Sequence, residues 1–148
     1  MPGDDELVIR AVLETTAILS YARGQVHVGE LLVEVADEGA CVGLPTVALL
    51  DAYSRVTDDV QGRARIEILA ATPGIVVLPL GPREAAAISE TVSRLGSNGS
   101  AVADYDLARA HAAWAATAHS AYYLTCQPRL APAVLARWQI HYIAPDDT

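Results

Sequence analysis

No lysine occurs anywhere in the 148 residues, so all ten basic side chains are arginines. That absence excludes a P-loop with its phosphate-binding lysine, a Schiff-base enzyme, and a phospho-receiver domain with the usual sheet-end lysine. Phe is also missing, and the apolar half of the chain is mostly Ala, Val and Leu. No apolar run reaches the length of a bilayer span, because Arg, Asp or Glu interrupts each one. The acidic start "MPGDDELVIR" lacks the basic-then-apolar order of a signal peptide, so a soluble cytoplasmic protein without membrane contact is expected. The two cysteines, Cys41 and Cys126, have neither metal-site spacing nor the density of a disulfide scaffold, and read as reduced thiols.

What is present is acid. Eighteen Asp and Glu against ten Arg give a net charge of −8. Such a balance argues against broad adhesion to nucleic acid or anionic lipid, yet leaves room for a local arginine cluster that meets phosphate.

The length suits one domain over residues 1–148, with a core that needs no staples. "GSNGSA" (96–101) reads as a loop inside it. Strand-like runs alternate with helical stripes: "LVIRAVL", then a helix from about Thr16 to Arg23, then "VHVGELLVEVADEG" with Val28, Leu31, Leu32 and Val35 on one face. "ACVGL" is a second strand, "PTVALLDAYSRV" and "RARIEILAA" are helices, and "GIVVLPL" is a third strand. "PREAAAISETVSRLG" has Ile88, Val92 and Leu95 on one stripe, and "DYDLARAHAAWAATAH" has Leu107, Ala110, His111, Trp114 and Ala118. "AYYLT" (strand), "APAVLARW" (short helix) and "IHYIA" (strand) complete the chain. Short buried strands separated by helices predict a mainly parallel sheet covered on both sides, a three-layer α/β/α sandwich.

Three acidic positions stand out. Glu14 follows the first strand, at the carboxyl edge of the sheet; its plainer role is a helix-start acid that favours the dipole. Asp51 interrupts an apolar helix and needs a partner, a cation or water if buried; otherwise it faces solvent. Asp104 and Asp106 open a helix, where Asp104 suits the N-cap and Asp106 is left to turn toward the sheet edge; both could also simply cap. Carboxylates from three segments converging on one edge would make an oxygen-rich site of the kind hard cations need. Asp58, Asp59, Asp146 and Asp147 read as solvated turns and tails. His111, on an apolar stripe, reads first as a hydrogen-bonded core histidine and second as a proton shuttle. His27, His119 and His141 have no ligand-set spacing, and Trp114 and Trp138 read as core or interface.

With these residues in place the chain resembles the PIN-domain family, typified by the VapC toxins of toxin–antitoxin pairs, over nearly its whole length. "VLETTAIL" is similar to the family's first strand, which ends in an acid followed by a hydroxyl residue; here these are Glu14 and Thr16. "LPTVALLDAYSRV" supplies Asp51 as the helix acid, and "DLARAHAAWAATAHSAYYLTCQP" resembles the late helix and strand that end in "T-x-D-P". The resemblance implies a Rossmann-like PIN fold and Mg²⁺- or Mn²⁺-dependent endoribonuclease activity, in which a metal-bound water attacks the phosphodiester. It implies Glu14, Asp51 and Asp106 as catalytic metal ligands. Thr16 and Thr125 would be orienting hydroxyls around them, with Gln127 and Asp104 alongside. It further implies RNA as substrate, an antitoxin protein as partner, and a homodimer.

Three departures bear on that expectation. Glu stands where the first acid is usually Asp, Asp where the helix acid is usually Glu, and Gln127 where the last acid belongs. The first two are opposite changes of one methylene; the third removes a charge and weakens a second cation position most. A degenerate PIN fold kept as a binding or oligomerisation module is therefore the alternative. A doubly wound ligand-binding domain unrelated to nucleic acid is disfavoured by the missing glycine-rich loop and missing lysine.

Overall fold

The computed structural model describes residues 7–96 and 107–146. Five strands, β1 (Ile9–Leu13), β2 (Cys41–Pro45), β3 (Ile75–Leu78), β4 (Tyr122–Thr125) and β5 (Ile140–Tyr142), form one sheet in the order β3-β2-β1-β4-β5. Every neighbouring pair is parallel. The helices are α1 (Thr15–Ala22), α2 (His27–Asp37), α3 (Thr46–Arg55), α4 (Val60–Ala71), α5 (Pro82–Gly96) and α6 (Leu107–Ala118). The expected three-layer α/β sandwich is what forms, and no helix among the described residues is long and apolar enough to cross a membrane.

Two cores sandwich the sheet. On one side Ala11 and Leu13 of β1, with Val42, Leu44 and Leu124, meet apolar residues of α1, α2, α3 and α4. On the other, Ile9, Val12 and Tyr123 meet Ala112, Ala113, Ala115 and Ala116 of α6. Strict alternation would put Ile9 and Val12 on opposite faces. They share one because the register shifts between Ile9 and Ala11, an irregularity at Arg10 that resets the pleat. Arg10 itself turns outward to Glu38, 3.2 Å away, and both side chains are about half exposed. The alanine-rich face of α6 lets that helix lie close to β1 and β4 without large side chains to accommodate.

The strand order has a functional consequence. The chain runs outward from β1 through β2 to β3, then returns to the other side of β1 for β4 and β5. The order reverses between β1 and β4, and the crevice beyond the carboxyl ends of those two strands is where open parallel sheets bind ligands. Glu14 follows β1 there, and Cys126 and Gln127 follow β4.

Some expectations are corrected. "APAVLARW" forms no α-helix: after a 3-10 turn at Pro128–Leu130, the chain runs through irregular structure to a second 3-10 turn at Arg137–Gln139. Pro128 and Pro132 supply no backbone donors, and each holds its predecessor toward extended conformations, so no helix crosses either position. The stripe expected on α6 is also shifted. Leu107 and Ala118 at its ends are exposed, Trp114 is half-buried, and the small residues between them are buried. Trp138 is exposed and stacks edge-on against Tyr122, with ring centroids 5.8 Å apart. Among the turn acids, Asp59 caps α4 by accepting from the Gly62 N–H at 2.9 Å. Asp146 accepts from the Val26 N–H at 3.3 Å. Asp104, Asp106, Asp147 and the expected loop at 97–101 lie outside the described residues.

Candidate functional site

Glu14 ends β1 in extended backbone (ψ 165°) and stands at the N-cap of α1, yet its side chain makes no capping bond. The carboxylate nevertheless stands at the positive end of α1, as the plainer reading of a helix-start acid expects. The residue is 1% exposed, and its carboxylate turns to two hydroxyls: Thr16 Oγ1 and Thr125 Oγ1 both donate to Oε1, the latter at 2.7 Å. A hydroxyl has one proton to give. With both protons committed to Glu14, the 3.3 Å approach of the two threonine oxygens is a consequence of sharing one acceptor.

Each hydroxyl in turn accepts a backbone N–H from the loop after β4. Cys126 N donates to Thr16 Oγ1 at 2.8 Å, and Gln127 N donates to Thr125 Oγ1 at 2.9 Å. The result is a buried lattice that ties the end of β1 to the end of β4 through one carboxylate oxygen. The other, Oε2, is buried and has no hydrogen-bond partner among the described residues.

Asp51 repeats the pattern on α3. Its Oδ1 accepts from Arg55 Nε at 3.0 Å, one helical turn on, whereas its buried Oδ2 has no partner among the described residues. The Asp51 side chain is 22% exposed, so it is no free surface acid. A buried carboxylate oxygen left without a donor is costly, and two in one cavity ask for an explanation.

That cavity, about 430 Å³, lies beyond β1 and β4 at the reversal of strand order. Glu14, Thr15 and Thr16 line it after β1, Cys126 and Gln127 after β4, and Asp51 from α3. It also holds three side chains that the sequence did not single out: Arg23 at the end of α1, Arg55 at the end of α3, and Arg109 in α6. Only Arg55 gave a signal, being four residues after Asp51. Arg109 Nη2 donates to Gln127 Oε1 at 3.2 Å, so the amide oxygen where a final carboxylate was sought is engaged by a guanidinium.

The chemistry of this donor set suits one hard cation. Mg²⁺ is commonly held by one or two carboxylates, with water and substrate phosphate in its other positions. Glu14 and Asp51 supply two carboxylates, each with one oxygen uncommitted among the described residues. No group of three His, Cys, Asp or Glu able to hold a metal occurs among the described residues, which do not include Asp106.

Two further groups are quiet. The Cys126 thiol donates to the Thr16 carbonyl at 3.5 Å, and burial pushes its pKa up, so it is a poor nucleophile. His111 is 1% exposed on α6, away from the cavity lining, and its Nδ1 accepts from Val47 N at 3.4 Å. Burial pushes its imidazole below the usual range; the Pro79 carbonyl and Glu84 oppose that shift without reversing it. It is a core histidine and holds the start of α3 to α6.

No family model and no curated protein matches the chain. Among solved structures it is similar to one described as the crystal structure of VapBC2 from Rickettsia felis bound to a DNA fragment from their promoter. The TM-score is 0.61 at 16% identity, over 79% of this chain and 87% of that one. At that identity the likeness is one of fold, the five-stranded parallel sheet between helical layers.

Proposed function

We infer that the cavity at the ends of β1 and β4 is the site of a metal-dependent endoribonuclease related to toxins of toxin–antitoxin systems. The observation that supports this reading is the matched state of two carboxylates. Glu14 and Asp51 each have one oxygen fixed by protein donors and one buried oxygen with no hydrogen-bond partner among the described residues. A structural acid buried for its own sake would satisfy both oxygens.

In this reading Glu14 and Asp51 hold Mg²⁺ or Mn²⁺, and Asp106 is the expected third ligand. When bound, the cation supplies a water of lowered pKa and a positive charge beside the scissile phosphate. The protein's own residues do the positioning. Thr16 and Thr125 fix the Glu14 carboxylate through Oε1, Arg55 fixes Asp51 through Oδ1, and the loop after β4 locks both threonines. Such outer partners commonly govern affinity by one to two orders of magnitude. An antitoxin chain is the partner this reading calls for, as the similar structure is of a VapBC2 assembly; a cytoplasmic homodimer belongs to the same reading.

The Arg109–Gln127 contact favours a second reading, a PIN-like fold that has lost catalysis and serves as a binding module. Calorimetry with Mn²⁺ separates the two. We expect binding by the wild type, and at least a tenfold loss in Glu14→Gln and Asp51→Asn, with cleavage of structured RNA abolished by chelation. Absence of binding at millimolar Mn²⁺, together with absence of cleavage, would leave the binding module.

A further inference from the structure

Three threonine hydroxyls stand where β1 and β4 end, and two of them work as donor and acceptor at once. Thr16 Oγ1 donates to Glu14 and accepts from Cys126 N, and Thr125 Oγ1 donates to Glu14 and accepts from Gln127 N. Thr15, beside Thr16 in the chain, is the exception. It is 2% exposed, and its Oγ1 is buried with no hydrogen-bond partner among the described residues. A hydroxyl that leaves water without gaining a bond is unfavourable, so this atom asks for a reason.

The local chain does not supply one. A helical Thr commonly turns its hydroxyl to a carbonyl three or four residues back. Thr15 is the first residue of α1, so those positions are Val12 and Ala11, inside β1 and paired in the sheet with β2 and β4. Packing does not call for the oxygen either, since Val would fill much the same space without a polar atom.

The neighbours of Thr15 point to an answer. Thr15, Glu14 and Asp51 all line the cavity beyond β1 and β4. Each has one buried oxygen, Thr15 Oγ1, Glu14 Oε2 and Asp51 Oδ2, that lacks a partner among the described residues. Oxygen donors suit a hard cation, and Mg²⁺ usually keeps several waters whose protons need acceptors. A neutral hydroxyl competes poorly with carboxylates for the ion itself and suits that water.

We propose that Thr15 is a positioning residue of this site, its Oγ1 accepting a hydrogen bond from water carried by a divalent cation that Glu14 and Asp51 hold. The inference rests on the reading of the cavity as a cation site, and it needs no turnover of RNA.

The test compares the full-length wild type with Thr15→Val and Thr15→Ser. In EDTA, the urea midpoint of Thr15→Val should equal or exceed that of the wild type, because an unpartnered buried hydroxyl is gone. Calorimetry with Mn²⁺ should show affinity about tenfold weaker in Thr15→Val, with Thr15→Ser near wild type. Relaxation of solvent protons by bound Mn²⁺, which reports the waters on the ion, should not increase in Thr15→Val. A lower midpoint for Thr15→Val would mean that the hydroxyl is already bonded within the protein, for example to Asp104 or Asp106, and overturns the proposal. Equal losses of affinity in Val and Ser variants overturn it too. Affinity unchanged in Thr15→Val but lost in Glu14→Gln overturns it while the cation reading stands. Increased relaxation would make the oxygen a direct ligand and ends the water-mediated role. Absence of Mn²⁺ binding by the wild type removes the cation reading and this inference together.

Discussion

Thr125 Oγ1 donates to Glu14 Oε1 at 2.7 Å across 111 positions of sequence, and both residues are 1% exposed. This bond joins the ends of the two parallel strands between which the strand order reverses. It also determines which carboxylate oxygen of Glu14 remains uncommitted. Replacing Thr125 by Val keeps the shape but removes the donor to Glu14 and the acceptor for Gln127 N. We expect a loss of about 1.5–3 kcal/mol in urea unfolding, as for hydrogen bonds to charged groups, and a Mn²⁺ affinity lowered about 10- to 100-fold. Thr125→Ser, which retains the hydroxyl, should stay close to wild type in both. A Val variant with unchanged Mn²⁺ affinity would show that the bond does not position the carboxylate.

His111 provides a pH signature of the core. Burial lowers its pKa in the folded protein, so the unfolded chain binds the proton more readily. Where the unfolded state holds more protons, stability rises with pH. The contribution is therefore complete above about pH 6.5, the ordinary imidazole value, and declines as pH falls toward the lowered folded pKa. The groups acting on it are the Pro79 carbonyl, Glu84 and the Val47 N–H. The slope from this one residue cannot exceed about 1.4 kcal/mol per pH unit. Unfolding free energies of wild type and His111→Gln, measured from neutral pH to pH 5, should converge as pH falls. Parallel curves would mean that the imidazole charges without penalty.

Gly43 tests how closely the layers pack. It lies in central β2, and a Cβ built on it would stand 2.6 Å from Leu78 Cδ1 and 3.2 Å from Ile9 Cγ2. The Leu78 methyl belongs to edge strand β3 and can swing away, whereas Ile9 is 5% exposed and held in the core. Gly43→Ala should therefore cost about 1 kcal/mol, the low end for overpacking. Adding Leu78→Ala should make the two effects clearly non-additive, since they share a contact.

Much of this was legible in the sequence, and the reason is local. Alternating apolar runs and stripes give element type wherever one periodicity dominates, as in α2 and β4. "APAVLARW" failed because its apolar spacing mimics a helix, and spacing alone does not separate a helix from irregular chain between two 3-10 turns. The long-range geometry was hidden for a different reason. Nothing in the order of residues says that β4 lies beside β1, so Thr125 donating to Glu14 could not be read from either segment alone. Acids announce themselves by being out of place in apolar segments, as Asp51 does. The arginines do not, because a cation at a helix end is ordinary until the fold points three of them at one space.

Gln127→Asp probes how far the site has departed from a fully acidic one. Gln127 Oε1 accepts from Arg109 at 3.2 Å, and Gln127 N is already anchored to Thr125. The substitution therefore changes charge at a position whose backbone stays put. Two cations then compete for the introduced carboxylate. An exposed pair with Arg109 is worth about 0–1 kcal/mol, whereas a divalent ion carries twice the charge and sits among other carboxylates. The metal should win, tightening Mn²⁺ binding about tenfold and raising cleavage of structured RNA in the same experiment. Tighter binding without cleavage would mean that the cation site is intact but the catalytic geometry is not. Unchanged affinity would mean that Arg109 captures the new charge before a cation can.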